Sequence, residues 1–278
     1  MTDQDKHVNR WKPPYLYRYY GNVEHAMGVI QNRRLHHARP SKFNDPFDCR
    51  PFVSLANNPC DDDELWHELF SYLAQITNEC SAEDGNAIAT NHLNRGDHKN
   101  ISWLEKYDEI LLAMNADIRI CCFAQSARNT MMWNHYANKH KGVVFQFRSK
   151  HLPEKISGEF KGRKVWYPKH RIGLKDHVKF MEDYFINNDK LAMAWPYRTK
   201  GYEWRGEEEI RFLTDRQFLG FPENALTGII LGDRCPKEFE ERLMTAANKW
   251  TNTPRFFKVS ISKSVHKLHV DAVKHNKD

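Results

Sequence analysis

Tyr15-Leu16-Tyr17-Arg18-Tyr19-Tyr20-Gly21 decides how the fold begins. Pro13 and Pro14 precede this aromatic-rich run and Gly21 closes it, which is the signature of a strand. Alternation along a strand sends Arg18 to one face and Tyr17 and Tyr19 to the other. An arginine on the inner side of such a strand needs an anion. Either an acidic residue of a late strand supplies it as a structural salt bridge, or a bound phosphate does. Just downstream, Asn22 is placed to cap a helix carrying Val23, Ala26, Met27 and Ile30 at helical spacing, with Arg33 and Arg34 as its basic stop. Leu35 to Arg39 reads as a second strand, broken by Pro40. The stretch Ser41-Lys42-Phe43-Asn44-Asp45-Pro46-Phe47-Asp48 then favours a fixed Asx-type turn, a place where ligand-binding side chains are displayed.

Further out, the acidic start at Asp61 to Glu64 and the apolar series Leu65, Leu69, Tyr72, Leu73 and Ile76 predict a helical insertion over about residues 61–116. Ile118 to Ala124 predicts a strand, Met131 to Lys139 a helix ending near Gly142, and Val143 to Phe147 another strand. Val165 to Tyr167 reads as a short strand and Asp176 to Met193 as a second inserted helix. Glu208 to Leu213 and Leu226 to Leu231 follow as strands, Pro236 to Trp250 as a helix, and Phe256 to Ile261 and Lys267 to Val270 as closing strands. Strands in runs, with segregated helices and few regular βαβ alternations, predict the α+β class. No repeat or Gly/Ser-rich linker marks a boundary, so the expectation is a single domain over residues 15–271, between a flexible N-terminus (1–14) and a polar tail (272–278).

The 278 residues carry 42 Lys and Arg against 36 Asp and Glu, a net charge of +6 that leans mildly toward anionic partners. With 40% hydrophobic and 28% charged residues, a disordered or fibrous chain is excluded. Aromatics at 13% are numerous enough both to build core and to line a site for something flat. A membrane span needs about 18 consecutive apolar residues, and none occurs; the N-terminal residues are polar, so the expected location is cytoplasmic, with no membrane partner. The six cysteines form no CxxC pair, which argues for reduced, mostly buried thiols and against a zinc ribbon.

Common phosphate-cradle, zincin and hydrolase signatures are absent. His135 and His140 stand five apart, off the i, i+4 spacing of helical metal ligands, so no metal is expected. Two further segments stand out. Cys121-Cys122-Phe123-Ala124-Gln125-Ser126 leads into Met131 to Gly142, whose helix groups Met132 with Tyr136 and His140, and Trp133 with Ala137, either as core packing or as a site wall. Trp204-Arg205-Gly206-Glu207-Glu208-Glu209-Ile210-Arg211-Phe212-Leu213, if extended, puts Glu207, Glu209 and Arg211 on one face. Paired carboxylates there suit holding a cation or activating a hydroxyl; the alternative is an exposed edge strand with a solvated acidic face.

Taken together and in this order, the LYRYY start, FNDPFD, the MWxHYAxxHKG block, the WxxExExR segment and the late IILG resemble the bacterial domain-of-unknown-function family 2971 over nearly the whole chain, from Leu16 to Val270. A remoter resemblance is to the ADP-ribosyltransferase fold, which implies a split, mostly antiparallel sheet with helical insertions. That fold begins with a strand bearing Arg or His, here Arg18, followed by a helix at Val23 to Asn32 and a strand at Leu35 to Arg39. Its later serine corresponds to Ser126 or Ser41, and its late catalytic glutamate strand to Glu207-Glu208-Glu209.

What this second resemblance implies is an NAD-consuming enzyme with NAD as substrate and an unknown macromolecular acceptor, protein or nucleic acid. Bacterial proteins of that kind are often toxins or phage-defence effectors. Cleavage of the nicotinamide glycosidic bond passes through an oxocarbenium-like state that a carboxylate offsets. Glu209 would take that role, Glu207 would activate the acceptor, Arg18 would pair with the pyrophosphate, and Ser126 would brace the glutamate. Tyr17, Tyr19, Phe123 or Trp133 would stack on the nicotinamide, with Asn44 or Asp45 near the site and Asp48 structural. Ser41, His135, Tyr136 and Arg211 complete the expected NAD surroundings. The rival from another class is a non-enzymatic nucleic-acid- or nucleotide-binding module, favoured by the basic charge and the aromatic content.

Overall fold

In the computed structural model the tyrosine run forms a strand between Pro14 and Gly21 and lies inside a large sheet, where both its edges are paired. The structure describes residues 13–45, 47–49, 62–100, 102, 103, 109, 113, 116–152, 162–169, 173–186, 192–262 and 264–273. Most of the expected flexible N-terminus and polar tail lies outside the described residues. In chain order the strands are β1 (Tyr15–Tyr20), β2 (Arg34–His36), β3 (Arg119–Ala124), β4 (Val143–Arg148), β5 (Arg163–Lys164), β6 (Glu209–Thr214), β7 (Phe218–Gly220), β8 (Leu226–Leu231), β9 (Arg255–Ile261) and β10 (Leu268–Ala272). The helices are α1 (Val23–Asn32), α2 (Asp63–Asn78), α3 (Ala82–Asn94), α4 (Thr130–Tyr136), α5 (Leu174–Ile186) and α6 (Lys237–Ala247).

The chain divides into two compact units: Met1–Arg39, Arg119–Val165 and Arg205–Asp278 in one, Pro40–Ile118 and Trp166–Trp204 in the other. The first unit holds every described strand. Eight of them form one sheet in the order β10-β9-β8-β4-β1-β3-β6-β5, and β2 pairs with β7 in a two-stranded sheet. All described pairings between these strands are antiparallel except β8 with β9, which α6 joins. The protein is thus α+β with a large, mostly antiparallel sheet, as the sequence pattern predicts.

Register fixes which side chains share a face, since directly opposed residues point the same way. Tyr17 opposes Ala124, and Ala124 opposes Glu209. One face, with Leu16, Tyr20, Phe123, Phe145, Phe147 and Ile210, is covered by Ala26, Met27 and Ile30 of α1 and by Phe239 and Leu243 of α6. The other face, with Tyr19, Val144, Ile230 and Val259, is covered by Met132 and Trp133 of α4. We call these the core face and the cleft face.

α1 starts where expected because the Asn22 side chain accepts the His25 N–H at 3.1 Å, meeting one of the unpaired amides of the first turn. In the second unit, Asp62 and Ser81 cap α2 and α3 in the same way. Trp66, Leu69, Phe70 and Leu73 of α2 form a core there with Leu174, Val178 and Met181 of α5, and Phe180 stacks on Trp195 at 4.6 Å. Boundaries shift by a few residues from the sequence reading. Leu35 to Arg39 shortens to β2, and Val165 to Tyr167 gives way to β5 just before it.

Candidate functional site

The sheet brings some of the expected site residues together and separates others. Tyr17, Tyr19 and Glu209 belong to the cleft face, where Ser126 lies in the turn after β3. Arg18 does not join them. Its neighbours in register are Phe145 on β4 and, one residue past the Tyr17–Ala124 pair, Phe123 on β3, so it points to the core face. There its guanidinium contacts the Cys121 thiol, donates to the His36 carbonyl at 3.0 Å and lies 5.6 Å and 5.9 Å from the Tyr20 and Phe123 rings. The expected convergence of Arg18 with Glu209 is therefore corrected, and of the two anions open to it, an acidic side chain or a bound phosphate, its contacts in the structure are instead a carbonyl, a sulfur and two rings. Phe123 is corrected with it: buried against Phe147 and Phe212, it offers no ring to a ligand.

Glu209 and Arg211 are spoken for by each other. Arg211 Nε donates to Glu209 Oε1 at 2.9 Å and its Nη2 to Oε2 at 3.0 Å, a bidentate pair with side chains 0% and 6% exposed. Such a pair carries little net charge toward a ligand, so Arg211 is a structural partner instead of an NAD contact. The carboxylate also acts on its neighbour: burial first, then the Glu209 charge, push the Cys122 thiol well above its usual range. On the core face, burial pushes Cys121 up to about 11. The acidic strand is not a solvated edge, since β6 is flanked by β3 and β5. Nor does Glu207 share its alternation. Glu208 has a left-handed φ of 48°, which ends the strand, and Glu207 lies buried in the preceding 3₁₀ turn, accepting from the Tyr136 hydroxyl at 2.6 Å.

After α4 the chain packs as an interlock. Trp133 is fully buried, edge-on to Tyr19 at 5.5 Å, stacked on His140 at 5.4 Å, and donates from Nε1 to the Ala127 carbonyl at 2.7 Å. Asn138, Lys139 and His140 all have positive φ, a strained run that three contacts hold in place. The His140 ring stacks on Trp133, and its Nδ1 lies 3.1 Å from Asp233 Oδ1. A side chain at Gly142 would come within 2.1 Å of the Tyr20 carbonyl, and one at Gly232 within 1.9 Å of the His140 carbonyl. Trp133 is thus core and not a stacking platform; His135 is exposed and Tyr136 is engaged by Glu207.

What the cleft face leaves open is a cleft of about 330 Å³ lined by Tyr17, Gln125, Ser126, Ala127, Arg128, Gln146, Ile230, Phe257 and Val270. Tyr17, Gln146, Ile230, Phe257 and Val270 come from five consecutive strands of the sheet, and the turn from Gln125 to Arg128 forms one wall. That turn is fixed. Ser126 Oγ accepts the Arg128 N–H at 3.0 Å, and the Ser126 carbonyl accepts the Tyr19 hydroxyl at 2.8 Å. Ser126 braces its own turn, not the glutamate. Burial raises the Tyr19 phenol, so it stays a donor. Only Tyr17 and Ser126 of this lining were expected. A polar Gln146 inside Val143-Val144-Phe145-Gln146-Phe147 and a glycine inside Leu226-Thr227-Gly228-Ile229-Ile230-Leu231 were the signals for the rest.

Ser41, Asn44, Asp45 and Asp48 belong to the second unit. Asp45 forms the expected Asx turn: its Oδ1 accepts the Phe47 N–H at 2.9 Å and its carbonyl the Asp48 N–H at 3.2 Å. Asp48 is structural, buried with its Oδ2 3.6 Å from Lys200 Nζ and its Oδ1 3.3 Å from Cys49 Sγ. Ser41 and Asn44 are exposed.

Residues 132–212 match the model of a family described as Protein of unknown function (DUF2971). The matched segment holds the MWxHYAxxHKG block and the WxxExExR segment, two of the motifs on which the resemblance to this family rests. No curated protein and no solved structure matches the chain. The DUF2971 segment opens on α4 and closes on β6, so it contains the strained interlock, Gln146 and the Glu209–Arg211 pair. Among the described residues, no group of three or more His, Cys, Asp or Glu is placed to hold a metal, and no helix is long and apolar enough to cross a membrane.

Proposed function

We propose that the chain is a nucleotide-binding protein whose ligand occupies the cleft between Tyr17, Ser126 and Phe257. The observation that carries this reading is the lining itself. Two aromatic rings (Tyr17, Phe257) offer faces to a base, the Gln125 amide offers a donor and an acceptor to its edge, and Arg128 offers a guanidinium to a phosphate. A volume of about 330 Å³ lies at the small end of ligand pockets, the scale of one nucleotide. No carboxylate is among the lining residues described, and the net charge of +6 favours the same sign of ligand.

Titration calorimetry of the purified chain with AMP and NAD tests it. Base–aromatic stacking contributes about 1–3 kcal/mol per base, so Phe257→Ala should weaken binding roughly five- to hundredfold. A folded wild type that binds neither nucleotide at millimolar concentration overturns the reading.

A second reading, NAD-consuming ADP-ribosyl transfer, keeps one support: Tyr17, Ala124 and Glu209 lie side by side on β1, β3 and β6 and point to the face that carries the cleft. The paired, buried state of Glu209 and the placement of Arg18 weigh against it. Nicotinamide release from NAD by the wild type, with and without lysate as acceptor, separates the two readings. The binding reading predicts none.

A further inference from the structure

The polar atoms around the cleft have a direction. Ser126 Oγ accepts the Arg128 N–H at 3.0 Å, and since a peptide N–H can only donate, the serine's own proton is left for another acceptor. Across the cleft, Gln146 Nε2 donates to the Tyr17 hydroxyl oxygen at 3.2 Å. The other end of that amide is held by Thr227, whose Oγ1 donates toward the Gln146 carbonyl at 3.2 Å and toward Oε1 at 3.3 Å. With its oxygen already accepting, Tyr17 has its phenol proton free for the cleft. Arg128 is exposed, and a guanidinium has donors only.

Three donors, one of them cationic, therefore line one cleft, and no carboxylate is among its described lining residues. Gly228 keeps the arrangement in place: a Cβ there would lie 2.8 Å from Gln146 Oε1 and 3.0 Å from the Phe257 ring. We infer that Tyr17, Ser126 and Arg128 form an oxyanion site and that the ligand class is a nucleoside monophosphate, held by its phosphate and not by its base alone. This rests on the nucleotide reading above. Gln146 and Thr227 are positioning residues, acting through the Tyr17 hydroxyl.

Calorimetry with AMP and with adenosine tests the inference, because the two differ only in the phosphate. The wild type should bind AMP at least tenfold more tightly, as expected when charged hydrogen bonds are added. Tyr17→Phe keeps the ring and Ser126→Ala keeps the turn's backbone, and each should reduce the AMP-to-adenosine ratio about tenfold. Thr227→Val, which releases the amide, should lower that ratio in the same direction, while its stability falls by no more than one lost hydrogen bond, about 0.5–1.5 kcal/mol. A wild type that binds both ligands equally overturns the oxyanion site and leaves the nucleotide reading standing. Variants that keep the full ratio also overturn it. If neither ligand binds, the nucleotide reading fails and this inference fails with it.

Discussion

The two faces of the eight-stranded sheet are made by alternate residues of the same strands, and they end up with opposite properties. The core face takes Leu16, Tyr20, Phe123, Phe145 and Ile210 beneath two helices, α1 and α6. The cleft face takes Tyr17, Tyr19 and Glu209, and α4, a helix of only 7 residues, covers only part of it through Met132 and Trp133. A cleft remains beyond that helix, above Gln146, Ile230 and Phe257. Chemistry follows parity. Arg18, one residue from either tyrosine, is excluded from the cleft by its position in the strand, whatever its charge suggests.

The largest effect expected from disturbing this division is on the buried pair of the cleft face. Arg211→Ala removes the bidentate partner of the buried Glu209 carboxylate, and breaking a buried pair in this way costs about 3–5 kcal/mol. Chemical denaturation should show that loss. Glu209→Gln/Arg211→Met, which removes both charges, should recover much of it, and a double variant as unstable as Arg211→Ala would mean that the carboxylate is not the source of the cost.

Histidines sharpen the contrast. On the core-face side, burial and then the Arg18 charge push His37 down to about 3, so it is neutral in the fold while its unfolded value stays near 6.5. The unfolded chain then binds more protons throughout that window, and stability falls as pH drops from about 6.5 toward 3, by up to about 1.4 kcal/mol per pH unit. On the cleft-face side, burial also lowers His140, but Asp233 pulls the other way. His37→Leu should therefore flatten the acid limb of the stability curve more than His140→Leu does. Equal slopes in the two variants would break the comparison. His177 in the second unit, also pushed to about 3 by burial, contributes to both curves alike.

Gly228→Ala should act on the open face alone. Its added methyl meets Gln146 Oε1 and the Phe257 ring, two side chains that line the cleft. AMP affinity should fall about tenfold, on the order of 1.4 kcal/mol, with a smaller change in stability. The same affinity in the variant would mean that the ligand does not use that end of the cleft.

How much of this could be read beforehand differs between strand and sheet. β1 was legible end to end, because Pro14, four tyrosines and Gly21 all act within one segment, and so was the opposite parity of Arg18 and Tyr17. Which strands lie beside it was not. That Arg18 and Glu209 face apart depends on the registers of β1 with β3 and of β3 with β6, and no local pattern carries them. The left-handed Glu208, which breaks the alternation expected for Glu207 and Glu209, was hidden for the same reason: tertiary contacts impose it on a residue with no special preference for it. β7, three residues that pair with β2, has too short a run to announce itself. The cleft was partly legible, in Gly228 and Gln146, two residues out of place in apolar strands.

The smallest effect separates the faces most cleanly, because it compares adjacent residues of one type. Tyr19 points to the cleft face and donates its hydroxyl to the Ser126 carbonyl at 2.8 Å. Tyr20 points to the core face, where its hydroxyl is buried without a hydrogen-bond partner among the described residues. Removing a satisfied buried hydroxyl loses its hydrogen bond, about 0.5–1.5 kcal/mol, whereas removing an unsatisfied one relieves a desolvation cost of about 1–3 kcal/mol before any loss of packing. Tyr19→Phe should thus lower the unfolding free energy by about 1 kcal/mol, and it should also loosen the Ser126 turn and weaken AMP binding. Tyr20→Phe should leave stability unchanged or raise it by about 1 kcal/mol, with AMP binding untouched. Measured side by side by denaturation and calorimetry, shifts of the same sign in stability would mean that the two hydroxyls share one environment, and the division of the sheet into a packed face and a binding face would not hold at its centre.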